Sequence, residues 1–136
     1  MSKDVNYPKI LFLVDDDHDD QEIFIEALKS IDKSIICYTA NDGKDAISQL
    51  NDSLLLPAVI FLDLNMPVMN GKECLKALKI DKNLKELPVV IYSTSSSENE
   101  KQNCIELGAA NFISKPSHFN TLVTTLESTL HSYWRI

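Results

Sequence analysis

Short apolar runs alternate with helical patterns along the whole chain. The first run, KILFLV at 9–14, is continuous, as befits a strand covered on both faces. Phe24, Ala27, Leu28 and Ile31 follow at the i, i+3, i+4, i+7 spacing of an amphipathic helix. SIICYTA at 34–40 predicts a second strand whose polar share suggests a sheet edge, and DGKDAISQL predicts a short helix with Ala46, Ile47 and Leu50 inward. AVIFL at 58–62, introduced by Pro57, is the third strand; a helix beginning near Gly71 buries Cys74, Leu75 and Leu78. VVIYS at 89–93 stands behind Pro88, which is tolerated at a strand start. A helix over 97–107 carries a capping box, Ser97 with Glu100, and stops at Gly108; it buries little beyond Cys104, Ile105 and Leu107. NFIS at 111–114 is the fifth strand. Ser117 is placed to cap a last helix with the face Phe119, Leu122, Val123, Leu126 and Leu130.

Five βα units in succession imply an α/β fold: a parallel sheet with helices on both faces, joined by right-handed crossovers. The 136 residues fit one domain over 1–136, with a core at about 9–131, and no linker or repeat interrupts it. The apolar stretches LLLPAVIFL and ILFLV are too short to span a bilayer, so no membrane role is expected. Lys3 ahead of ILFLV could imitate a signal peptide, but the run is short and ends in aspartates; a cytoplasmic location is favoured. Cys37, Cys74 and Cys104 are widely spaced, without a CxxC, and read as buried small hydrophobes in a reducing compartment. A net charge of −7 argues against nucleic-acid binding and is compatible with cations or basic partner surfaces.

In an open parallel sheet the functional crevice lies beyond the carboxyl ends of the strands, where strand order reverses. With the order 2-1-3-4-5 this is between strands 1 and 3. Strand 1 ends in VDDD and strand 3 in LDL, so Asp15 and Asp16 should face Asp63 across the crevice. Carboxylates packed this closely repel unless protonated or bridged by a cation, and an all-oxygen set with room for water suits Mg2+. Any one of these aspartates alone reads as an ordinary cap or turn residue. The other strand ends add Ser93 and Thr94, then Lys115 from SKP. A carboxylate nucleophile, a metal, a hydroxyl donor and a point charge together make a phosphoryl-transfer constellation.

LVDDD, FLDLNMPVMNG, VVIYST and SKP, in this order and spacing, closely resemble the response-regulator receiver domains of two-component signalling, over Lys9 to about Leu130. The resemblance implies the flavodoxin-like receiver fold, five parallel strands in the order 2-1-3-4-5 with five helices. It implies Asp63 as phosphoacceptor, with Mg2+ held by Asp16, Asp63, the Asn65 backbone carbonyl and, through water, Asp15. Ser93 and Lys115 would contact phosphoryl oxygens, and the Lys115–Pro116 bond would be cis. Phe112 matches the aromatic switch position and would move inward when Ser93 engages the phosphate; a half-exposed strand aromatic fits the same place. Asp17 would start a helix. Asn65 and Ser95 occupy positions that tune dephosphorylation, and neither is equipped as a strong base.

The resemblance also implies a phosphoryl source, a histidine kinase or histidine phosphotransfer protein, and a downstream protein target reached through a phosphorylation-sensitive face of the fourth helix, fifth strand and last helix. A stand-alone receiver, monomer or weak dimer, is expected rather than an enzyme acting on other substrates. A phosphatase or phosphotransferase of the haloacid-dehalogenase type would want an acid where Asn65 stands. A phosphorylation-independent scaffold would lack pocket residues that are present. His18, His118 and His131 fit solvated positions, and Trp134 the packing of a chain end.

Overall fold

The computed structural model describes residues 8–136; Lys3 lies outside them. Its elements are β1 (Lys9–Val14), α1 (His18–Ile31), β2 (Ile35–Ala40), α2 (Gly43–Asp52), β3 (Val59–Leu62), α3 (Gly71–Ile80), β4 (Val89–Ser93), α4 (Glu98–Glu106), β5 (Asn111–Ser114) and α5 (Phe119–Leu130). The strands form one parallel sheet in the order β2-β1-β3-β4-β5, as expected.

The side chains of each strand alternate between two cores. Phe12, Val14, Ile60, Leu62 and Ile91 meet Leu50, Cys74, Leu75, Leu78 and Cys104 on the face covered by α2, α3 and α4. Leu11, Leu13, Phe61, Val90 and Tyr92 meet Phe24, Ala27, Leu28, Leu122, Leu126 and Leu130 from α1 and α5. β3 and β4 are buried throughout, which is why their sequences are continuous apolar runs, whereas β2 alternates because it is an edge. Tyr133 and Trp134 pack against the α1–α5 core, so the chain end is a packing element.

Several local expectations need correction. The last helix starts one residue later than read: its N-cap is His118, without a side-chain cap bond, so Ser117 is too far back to reach the first-turn N–H groups. In α4 only half of the capping box forms. Ser97 Oγ accepts the Glu100 N–H at 3.3 Å, but the Glu100 carboxylate pairs with Lys72 Nζ of α3, a cation that outcompetes a neutral backbone donor. The complete box is in α3, between Asn70 and Glu73, where the sequence reading had placed none. Of the three apolar residues expected beneath α4, only Cys104 is fully buried, and Phe119 of α5 is exposed. Cys37 is half-buried, because it lies on the edge strand rather than inside the sheet.

Candidate functional site

Strand register brings the chemistry together. Val14 pairs with Leu62, so Asp15 and Asp63 are the first residues past the ladder on neighbouring strands. The Asp63 N–H donates to the Val14 carbonyl at 2.9 Å and the Asp15 N–H to the Ala40 carbonyl at 3.0 Å, which extends the sheet's order into the site. On the far side the Lys115 N–H donates to the Ser93 carbonyl at 2.6 Å, carrying the β4–β5 pairing one residue beyond the strand.

Asp15 is fully buried, with Oδ1 accepting the Asp17 N–H at 3.0 Å and Oδ2 accepting Lys115 Nζ at 2.9 Å. Asp16 is exposed at the rim, and Asp17 is the N-cap of α1. Carboxylate oxygens of Asp15, Asp16 and Asp63 lie within 4.8 Å of one another. Asp63 is 6 % exposed, and burial above all pushes its carboxyl up to about 6. Lys115 opposes that rise, the Asp15 charge adds to it, and the Asn65 and Leu64 backbone N–H groups hold it back.

Lys115 Nζ also donates to Asp20 Oδ2 at 2.8 Å, stands 4.0 Å from Asp63 Oδ2 and lies 5.2 Å from the centroid of the Tyr92 ring. Burial pulls its ammonium down, but the hydrogen bonds to Asp20 and Asp15 outweigh that and leave it above the usual lysine range. The Lys115–Pro116 bond is trans, contrary to expectation: the described residues contain no cis peptide. The backbone bond to Ser93 and the ammonium's two carboxylate partners place Lys115 without a cis turn, and trans is the intrinsic preference of X–Pro bonds. Ser93 is fully buried at the end of β4, its Oγ accepting the Ser95 N–H at 3.2 Å. Phe112 is only 9 % exposed and belongs to the core, so the inward arrangement of this aromatic is the one observed.

The loop after Asp63 is held by α3. A Cβ on Gly71 would sit 2.2 Å from the Asp63 carbonyl oxygen and 2.6 Å from Leu64 Cα, and the Gly71 N–H donates to the Leu64 carbonyl at 2.8 Å. Only glycine lets the helix start approach this closely. The loop between carries strain at Val68, a β-branched residue at φ 67°. Two contributors were not foreseen. Asp20 is the second partner of Lys115, and buried Gln21 ties the two loops beside the site by donating from Nε2 to the Asp15 carbonyl and to Asn41 Oδ1. Neither has a local sequence signal, since each partner is distant in the chain or is backbone.

Asp16, Asn65, Pro67, Asn70, Lys72 and Glu100 line the cleft above, about 530 Å³ in volume. A second cavity of about 380 Å³, between Ile10, Tyr38, Leu55 and Pro57 at the other end of the sheet, carries Asp52 as its one charged lining residue and no comparable constellation. The site itself fits a hard divalent cation. Asp15, Asp20 and Asp63 crowd around one ammonium, Asp16 joins Asp15 and Asp63 in the acid cluster, and the donors are all oxygen.

The chain matches the family described as the response regulator receiver domain over residues 11–127. It is 31 % identical to the response regulator Rcp1 of Synechocystis, covering 98 % of this chain and 94 % of that protein. Among solved structures it resembles the phosphorylated cyanobacterial phytochrome response regulator RcpA at a TM-score of 0.85 and 30 % identity, covering 93 % of this chain and 94 % of the other. It also resembles the Mn2+-bound form of Rcp1 at a TM-score of 0.80 and 29 % identity, with the same coverage of 93 % and 94 %.

Proposed function

Because the chain belongs to the response regulator receiver domain family, we propose that it accepts a phosphoryl group on Asp63 from a histidine kinase or a histidine phosphotransfer protein. The observation that carries this reading is the convergence of Asp15, Asp16 and Asp63 beside Lys115 at the sheet's switch point. In the transfer, an Asp63 carboxylate oxygen attacks phosphorus, a P–O bond forms, the P–N bond to the donor imidazole breaks, and the imidazole leaves with the bonding pair and takes up a proton.

Asp16, Asp63, the Asn65 backbone carbonyl and, through water, Asp15 would hold Mg2+. That ion would neutralise charge on the phosphoryl oxygens. Asp15 suits the indirect role, because both of its oxygens are already engaged. Lys115 would meet one phosphoryl oxygen and Ser93 another, the latter by donating its O–H, which the bond accepted from the Ser95 N–H leaves free. The Mn2+-bound relative and the acid cluster support a divalent metal; the identity of the ion as Mg2+ is part of this proposal.

The readout would be a change in the face formed by α4, β5 and α5, through which a downstream protein is engaged. The shallow anchoring of α4, which buries Cys104 alone, supports this, and Ser93 and Phe112 lie at its inner border. No helix among the described residues is long and apolar enough to cross a membrane.

Intact-mass spectrometry after acetyl phosphate and Mg2+ tests the central step. The expected result is one phosphoryl adduct that requires Mg2+ and is absent in Asp63→Asn. An adduct retained in Asp63→Asn would move the acceptor elsewhere. A folded, Mg2+-binding protein that takes phosphate neither from acetyl phosphate nor from a panel of phosphohistidine donors would favour a phosphorylation-independent scaffold.

A further inference from the structure

Lys115 is held by a second carboxylate that the acceptor chemistry leaves unexplained. An ammonium has three N–H donors. Two are spent, on Asp15 Oδ2 at 2.9 Å and Asp20 Oδ2 at 2.8 Å. Asp63 Oδ2 stands at 4.0 Å, too far for a hydrogen bond, yet close enough that an oxygen added to that carboxylate could take the third donor. The ammonium therefore waits beside the acceptor rather than on it.

The two anchors differ in kind. Asp15 is fully buried, its other oxygen is bonded to the Asp17 N–H, and it belongs to the cluster of acids that would share a cation. Asp20 lies outside that cluster. It sits in the first turn of α1, where the helix dipole favours a negative charge, and its side chain is 35 % exposed against 10 % for Lys115. At the third helical position an acid commonly reaches back to the N-cap backbone. Here the Asp20 N–H donates to Asp17 Oδ1 at 3.1 Å, while its carboxylate turns instead to the lysine. The Tyr92 ring, 5.2 Å from the ammonium, adds a further favourable contact.

We propose that Asp20 is a positioning residue that fixes the Lys115 ammonium beside the acceptor independently of Asp15. The inference rests on the receiver reading above, in which Lys115 contacts the phosphoryl group. A cation drawing on the Asp15 oxygens weakens one anchor, and Asp20 keeps the other. Without Asp20 the ammonium is left to Asp15 and Asp63. Once a cation also draws on Asp15 and Asp63, the ammonium loses these remaining partners and leaves the position from which it would meet a phosphoryl oxygen.

The test uses the full chain with 15N-labelled lysine, its Lys115 ammonium signal assigned through Lys115→Arg. In wild type a slowly exchanging signal is expected without metal and again at saturating Mg2+. In Asp20→Ala it should disappear when Mg2+ is added, and phosphorylation by acetyl phosphate at saturating Mg2+ should slow about fivefold. Asp20→Asn keeps an acceptor oxygen without the charge, so it should fall between the two; it also serves if Asp20→Ala does not fold. In a Lys115→Ala background, Asp20→Ala should cost no further rate. A signal that persists with Mg2+ in Asp20→Ala, or rate losses that add in the double variant, would overturn the proposal. Should wild type form no adduct, the acceptor reading fails on its own, and the ammonium signal alone decides the role of Asp20.

Discussion

α3 and α4 follow neighbouring strands, begin with a side-chain cap and flank the same cleft, yet they are fastened to opposite degrees. α3 has a reciprocal cap between Asn70 and Glu73 and buries Gly71, Cys74, Leu75 and Leu78. Its first residue presses on the backbone of Asp63. α4 has a one-way cap from Ser97, buries only Cys104, and is tied to α3 at the surface by Lys72 and Glu100. The element that presses on Asp63 is anchored by burial, and its neighbour is held mainly by a half-exposed ion pair. One end of the sheet thus carries a deeply anchored helix beside a lightly anchored one.

Core truncation should break the symmetry of the pair most. Leu75→Ala in α3 is expected to cost about 3–4 kcal/mol in urea unfolding, whereas Ile105→Ala in α4 should cost under about 0.5 kcal/mol, because Ile105 is already exposed. Comparable losses at the two sites would erase the distinction. Next in size is Gly71→Ala, expected to cost about 3 kcal/mol and to abolish the Mg2+-dependent adduct, since the new Cβ has backbone, not a flexible side chain, in its way.

A smaller effect follows from the raised carboxyl of Asp63. Its proton is held more tightly in the folded protein than in the unfolded chain. The contribution of this group to metal-free stability should therefore be intact below about pH 4 and be lost as pH rises through about 6. Asp63→Asn should flatten that slope, as should Mg2+; a metal-free slope unchanged in Asp63→Asn would assign it to another group. The least effect on overall stability is expected from Lys72→Ala, whose contact with Glu100 lies half-exposed at the surface. Its melting temperature should barely move, while amide exchange in α4 rises and in α3 does not. Equal exchange in both helices would remove the ion pair from the comparison.

What the sequence disclosed divides along a physical line. Strands such as VIFL and the chemistry at their ends were legible because continuous burial writes itself into composition, and a parallel sheet must gather its carboxyl ends on one edge. With the strand order 2-1-3-4-5, that is enough to bring Asp15, Asp16 and Asp63 together. Side-chain pairing between distant elements was not legible. Glu100 three residues after Ser97 has the spacing of a capping box, and nothing nearby reveals that Lys72 claims it. Asp20 was one acid among several in a helix start until Lys115 arrived from a distant strand. Gly71 read as a helix boundary, because the approach of Asp63 to its missing Cβ is a three-dimensional fact. Local boundary signals erred by a single residue at Ser117, enough to remove a hydrogen bond.

Lys115 reaches its carboxylate partners across separations of 100 residues to Asp15 and 95 to Asp20. The order of synthesis gives that distance a meaning. A ribosome delivers the acids that follow the first strand long before the lysine that pairs with them. Until β5 is added beside β4, Asp63 stands among neighbouring acids without the ammonium of Lys115. The charge balance of the acid cluster thereby depends on the pairing of an edge strand, since β5 brings the lysine to it.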